Sequence, residues 1–254
     1  MKGEGSNGGI ASRLVQVGFL AVLLLLWFLA TTVGHVSHIL LPNPVNVWDQ
    51  LVEIVASGAF IPDLEVTLGE LLVAFAIACS LGIVLGYLIS RSPYMIKVFE
   101  PLFSGIYSIP IILFLPLYVL FFGLGPASKI ALGATIGFFP IVLNTIAGFG
   151  YVDRTWVTAA RAMGASDVQM FRYVLFPAAL PVMLAGLRMG FTVALLSIIG
   201  SETIVSLSGL GHRIVNLAEN MDMARMFAYI AFVVAIAAIL NAIVSTLEAR
   251  GRWR

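Results

Sequence analysis

Few side chains in this sequence of 254 residues could do chemistry, and they are scattered. The three histidines are His35, His38 and His212. His35 and His38 are spaced i, i+3 and could share a helix face. No carboxylate accompanies them, and a ligating imidazole needs a hydrogen-bonded supporting shell. His212 has no further donors at a ligand spacing, so no metal site is expected. Glu202 lies in an apolar run. A carboxylate there is expensive and must face protein or water, which leaves two roles, a hydrogen-bond hub or a pathway residue. Cys79 is the single cysteine, so no internal disulfide can form; it reads as a small buried hydrophobe. The sequence holds no G-x-x-x-x-G-K-[ST] phosphate loop, no H-E-x-x-H and no G-x-S-x-G. The chain is therefore not expected to hydrolyse ATP or to be an enzyme. A lipid-modifying intramembrane enzyme, built on Glu202 and the histidines, is the competing reading, and the scatter of those residues counts against it.

The elements that would position these residues are dictated by composition. Hydrophobic residues make up 60%, charged residues 11%, and the mean hydropathy is +1.03. Soluble domains carry about 25% charged residues, so the main solvent here is lipid. A spanning helix needs about 20 apolar residues. Six stretches qualify, at 14–34, 64–90, 101–124, 128–150, 182–204 and 225–249. The first is longer than the core of a secretory signal and A-T-T-V-G after it is a poor cleavage site, so it reads as a retained helix. The expectation is an all-α polytopic membrane protein with six transmembrane helices whose single domain fills 1–254; few charges lie in the spans, which argues against a proton- or sodium-coupled carrier.

Charge orients it. With the N-terminus inside, cytoplasmic segments hold Lys2, Arg13, Arg91, Lys97, Arg154, Arg161, Arg172, Arg188, Arg250, Arg252 and Arg254, and the other side holds Lys129, Arg213 and Arg225. This positive-inside bias puts the tail 1–13, both termini and the segment 151–181 in the cytoplasm.

Several segments carry more detail. Residues 40–58 read as an external amphipathic helix, with Val47, Leu51, Ile54 and Val55 on one face, Asp49, Gln50 and Glu53 opposite, and Trp48 at the interface. It is either a connector or part of a docking face for an external partner. Pro110 and Pro116 break the third span, and broken spans often line a path. Tyr107, Ser108, Pro110 and Tyr118 are pathway candidates there. Asn144 in the fourth span and Ser197 and Glu202 in the fifth join them. Gly133 and Gly137 form a small-xxx-small pair suited to close helix packing. S-G-L-G-H at 208–212 is a Gly-rich turn, and the short helix after it shapes the outer mouth.

The longest run that looks amphipathic rather than simply apolar extends from Trp156 to Pro181. Its pattern reads as a short helix, a turn at Gly164, and a second short helix closed by Pro177 and Pro181. Such a segment on one side of a bundle is where another protein would grip.

This segment resembles the cytoplasmic signature E-A-A-x-x-x-G-x(9)-I-x-L-P of permease subunits of binding-protein-dependent ABC importers. Thr158, Ala159, Ala160 and Gly164 fall on its first half, and Val174, Phe176 and Pro177 on its second. Thr158 stands where the family has an acid and Phe176 where it has Leu. L-P-N-P-V-N-V-W, F-G-L-G-P-A-S-K (Phe122 to Lys129), S-E-T and S-G-L-G-H-R-I are similar to the nitrate, sulfonate, taurine and bicarbonate branch, which also holds importers of thiamine precursors and aromatic acids. Sulfonate-type members often carry an Arg and a double Pro near Tyr107 to Ile111, where this chain has only Pro110. The resemblance implies a type I importer permease and no cofactor on this chain. It also implies two partner ATPase subunits carrying ATP and Mg, a second and identical permease copy, and an external solute-binding protein. Trp156, Thr158, Ala159, Ala160, Arg161, Gly164, Ala165, Ser166, Asp167 and Pro177 would couple to the ATPase. The solute would be a sulfonate, nitrate or bicarbonate, or a related organic acid or vitamin precursor. An ABC-linked permease for a lipid-like substrate is the remaining alternative.

Overall fold

The computed structural model describes residues 5–33, 37 and 40–251. His35 and His38, and with them the expected histidine face, lie outside the described residues, as do Lys2, Arg252 and Arg254. All regular structure among the described residues is helical.

Two compact units can be told apart, Met1–Phe60 with Arg213–Val233, and Ile61–His212 with Val234–Arg254. The first holds helix α1 (Gly5–Thr32) and helix α2 (Pro44–Ser57). α1 begins well before the residue 14 at which the sequence placed the first span. Asn43 caps α2 by accepting from the Val45 N–H at 2.9 Å, Pro44 needs no partner for its missing donor, and Gly58 ends the helix. Val47 and Ile54 are buried as the apolar stripe requires, whereas Val55 is exposed. From the polar face, Gln50 and Glu53 each accept from Arg225, at 3.0 Å.

The second unit is built on α3 (Ile61–Ser90), α6 (Pro126–Gly150) and α9 (Phe176–Ile204). Residues of α3 face residues of α6 at one constant offset of 59, Ala74 at Gly133, Gly82 at Ile141 and Gly86 at Thr145. The two helices therefore run parallel. Gly137 meets Gly190, and Gly148 meets Ala179, so α9 runs antiparallel to α6. A Cβ at Gly190 would lie 2.8 Å from the Gly137 carbonyl oxygen, and one at Gly137 would lie 3.1 Å from that of Gly190. Where lipid supplies no hydrophobic drive between helices, such backbone approach provides the packing energy. Phe75 of α3 and Phe191 of α9 meet edge to face, 5.2 Å apart, and join those two helices.

Between the parallel pair lie α4 (Pro93–Tyr107), a 3-10 turn (Ile111–Phe114) and α5 (Leu115–Phe122), bent by 73° at the break before Pro110 and Ile111. Parallel α3 and α6 oblige this bent pair to cross back rather than re-enter. Among the described residues four helices are long and apolar enough to span, and the bent pair makes a fifth. These match the expected spans from 64 onward, with the last on α11 (Met223–Gly251). The expected span at 14–34 falls on α1, whose described apolar stretch, Ala21–Thr32, is shorter than the others.

Gly190→Ala should overpack the α6–α9 seam and destabilise the protein by about 1–3 kcal/mol. Gly69, with nothing within 4 Å of an added Cβ, should accept Ala with no loss, since Ala favours a helix by up to about 1 kcal/mol over Gly. Thermal unfolding of the two purified variants in detergent checks the contrast.

Candidate functional site

Two irregular segments interrupt the helical bundle at its opposite ends. At the Gly150 end, Asp153 accepts from the Thr155 N–H at 2.8 Å and starts α7 (Arg154–Ala162). That bond to the carboxylate holds the Asp153 carboxyl below its ordinary range. Next to it the Tyr151 hydroxyl donates to Glu100 at 2.9 Å, and the bond to the acid pushes the phenol up. Gly164 turns the chain at φ +80, a conformation costly for any residue with a Cβ. Ser166 and Gln169 then form a reciprocal capping box on α8 (Asp167–Met170). α7 presents Trp156, Thr158, Ala159 and Arg161 to the outside and buries Ala160. Gly164, Ser166 and Asp167 are exposed at the turn, and Ala165 is half-buried.

The second half of the segment departs from expectation. Pro177 and Pro181 do not close a short helix. α8 runs through a π turn (Phe171–Leu175) into α9, one continuous helix from Asp167 to Ile204. The wider π turn leaves room for the Pro177 ring and absorbs its missing donor. Phe171 sits in this turn against Tyr87 of α3 at 5.3 Å, Phe149 of α6 at 6.0 Å and Phe176 at 5.9 Å. Tyr87 and Phe149 are themselves 5.0 Å apart. An aromatic clasp thus joins the α7–α8 knuckle to both parallel helices. A cavity of about 760 Å³ opens beside it, lined by Trp156, Ala159, Met163, Tyr173, Pro177 and Pro181 among others.

At the Pro126 end, a non-helical strap over 205–209 follows α9. Glu202 is 1% exposed. Its Oε1 accepts from the Thr67 hydroxyl at 2.7 Å and its Oε2 from the Gly211 N–H at 2.8 Å, the second residue of α10 (Leu210–Glu219). Thr67 in turn accepts from the Leu210 N–H at 3.0 Å. Gly209 lies at φ +105, and a Cβ there would overlap the Glu202 carboxylate. Lys129, 1% exposed, donates to Ser206 at 2.9 Å and pairs with buried Glu70. Charge alone had placed Lys129 in the external aqueous segments; it is instead enclosed. Glu70, Lys129, Thr67 and Ser206 were missed by sequence reasoning. Their signal was a charged residue inside each of two apolar runs.

The other pathway candidates do not converge. Tyr107, Ser108 and Pro110 lie at the bend, with Tyr107 stacked on Phe139 at 6.0 Å. Tyr118 donates to Thr135 at 2.8 Å. Asn144 donates to the Pro140 carbonyl at 2.8 Å beside Gly186. Ser197 is buried, its hydroxyl without a hydrogen-bond partner among the described residues. No cluster of three or more potential metal ligands occurs among the described residues.

Thr67→Val keeps the shape and strands the Leu210 N–H. A loss of about 1–3 kcal/mol is expected, read as a lowered unfolding midpoint that Thr67→Ser restores. In the knuckle, the stabilisation from Asp153 is present above the ordinary carboxyl range and is lost as pH falls through the lowered value. Asp153→Asn should cap α7 without that pH dependence, as followed by amide exchange at Thr155.

The profile of the binding-protein-dependent transport system inner membrane components matches residues 78–253. The chain is similar to the taurine transport system permease protein TauC of Escherichia coli (strain K12), 31% identical over 93% of this chain and 88% of the relative. To the putative aliphatic sulfonates transport permease protein SsuC of the same organism it is 32% identical, over 94% and 86%. In fold it resembles a chain from the crystal structure of an amino acid ABC transporter with histidines, with TM-score 0.62 and 21% identity, over 80% of this chain and 96% of that one. These likenesses favour transport over the lipid-modifying alternative. The chain belongs to the family of binding-protein-dependent transport system inner membrane components, and within it is the membrane permease subunit of an ABC importer rather than an enzyme.

Proposed function

We propose that this permease, paired with a second identical copy, forms the path for a small sulfonate, taurine among them, handed over by an external binding protein. Two ATPase subunits carrying ATP and Mg drive it from the cytoplasm. Similarity to taurine and aliphatic sulfonate permeases over most of their length supports the substrate class. Both termini and the 151–181 knuckle lie in the cytoplasm. The gathering of Arg91, Lys97, Arg154, Arg161 and Arg172 around the Gly150 end supports that orientation.

The observation that carries the mechanism is the knuckle itself. α7 stands out from the bundle with Trp156, Thr158, Ala159 and Arg161 exposed, and Gly164 sets its angle. Seated in a groove of the ATPase, it is displaced when the two ATPase subunits close on ATP. The π turn and the aromatic clasp pass that displacement to α3, α6 and α9 as a rigid-body movement. Glu202 serves as the hub that fixes the outer strap, rather than as a contact for the solute. Its two carboxylate oxygens both accept bonds from neighbouring groups, which supports that role.

The test is ATP-driven uptake of radiolabelled taurine by the complex of permease, ATPase and binding protein in proteoliposomes. Gly164→Leu strains the turn and should cut uptake per ATP hydrolysed at least tenfold, with the complex still assembled. Unchanged uptake per ATP would remove the knuckle from the mechanism.

A further inference from the structure

One charged side chain inside the bundle takes no part in either irregular segment. Arg188 was assigned by charge to the cytoplasmic ends of the helices. The structure puts it two residues from Gly190, which packs on Gly137 near the centre of the 25-residue α6. The backbone of Arg188 thus lies about 3 Å of helix rise from the middle of the bundle. Its guanidinium reaches toward the Gly150 end and meets Glu248 of α11 at 3.2 Å. One helical turn along α9, the Thr192 hydroxyl donates to Asn241 of α11 at 3.3 Å. Arg188, Thr192, Asn241 and Glu248 therefore form a polar seam between two spanning helices.

The two ends of the ion pair are unlike. The Glu248 side chain is 6% exposed, but that of Arg188 is 42% exposed. A single contact with Glu248 engages part of a fork that carries five N–H donors. Hydrocarbon does not tolerate a half-open guanidinium at this depth, so its open side must face water or protein. Met189, Thr192 and Leu196 continue that open side along α9, with Met189 46% and Leu196 63% exposed. A planar, permanently charged fork on an open face suits the oxygens of a sulfonate or carboxylate.

We infer that Arg188 lines the translocation path and contacts the anionic head of the solute, while buried Glu248 holds the guanidinium in place and is not itself touched. The inference rests on the importer reading above and names the side chain that meets its substrate.

Two measurements on the assembled complex test it. First, Arg188→Cys in a Cys79→Ser background should react with an anionic, membrane-impermeant methanethiosulfonate. Absence of reaction places the residue against lipid or packed protein and overturns the inference, whatever the solute proves to be. Second, taurine uptake should fall at least tenfold in Arg188→Gln with basal ATPase activity retained, and by a smaller factor in Glu248→Gln, whose amide oxygen still accepts from the guanidinium. The exchange variant, Arg188→Glu with Glu248→Arg, should stay inactive. Equal losses from both single variants, with recovery in the exchange, would show a purely structural pair and overturn the inference. A wild-type complex without ATP-driven uptake of taurine or ethanesulfonate would instead contradict the proposed substrate class, and the labelling result would still decide whether Arg188 is open to water.

Discussion

Hydrocarbon offers no hydrogen bonds, and the irregular parts of this chain are shaped by that deficiency. At the Ile204 end of α9 the helical ladder stops, and side chains brought from elsewhere take its place. The strap over 205–209 follows. The first donors of α10 after it, at Leu210 and Gly211, are met by Thr67 and Glu202, and within it Ser206 receives the Lys129 ammonium. A buried charge has no independent stabilising value unless it is fully paired. Here the charges hold a non-helical loop in one conformation.

The same constraint explains how the chain can carry prolines in its spans. Pro110 sits at an outright break and a 73° change of direction. Pro140 stays inside α6 without ending it. Pro177 is preceded by a π turn, so the helix passes from α8 into α9 without ending. A continuous α8–α9 matters mechanically. A helix that stopped at Pro177 would leave the knuckle hinged to the bundle, whereas a continuous one, clasped through Phe171 to Tyr87 and Phe149, moves α9 with it.

Much of this was legible in the sequence. Spans from 64 onward, the amphipathic α2, the Gly164 turn and the close packing of Gly133 and Gly137 follow from period, length and residue size. What was not legible depended on partners far apart in the chain. Thr67 is one ordinary threonine until Glu202 and Leu210 are folded onto it. Lys129 and Arg188 were sorted by sign, as positive-inside counting does, yet both lie within the bundle, each against a carboxylate. Counting charges by sign carries no information on which of them the fold brings against a carboxylate. Pro177 misled for a related reason, since its cost depends on the turn before it and α-helical periodicity carries no sign of a π turn.

The account depends most on the knuckle being driven from the nucleotide side. Spin labels on Ser166→Cys in the two permease copies, in a Cys79→Ser background, report the separation of the knuckles in the reconstituted complex. Pulsed electron spin resonance should show the distance between them shortening when a non-hydrolysable ATP analogue is added with loaded binding protein. A distance distribution that nucleotide leaves unchanged would contradict it.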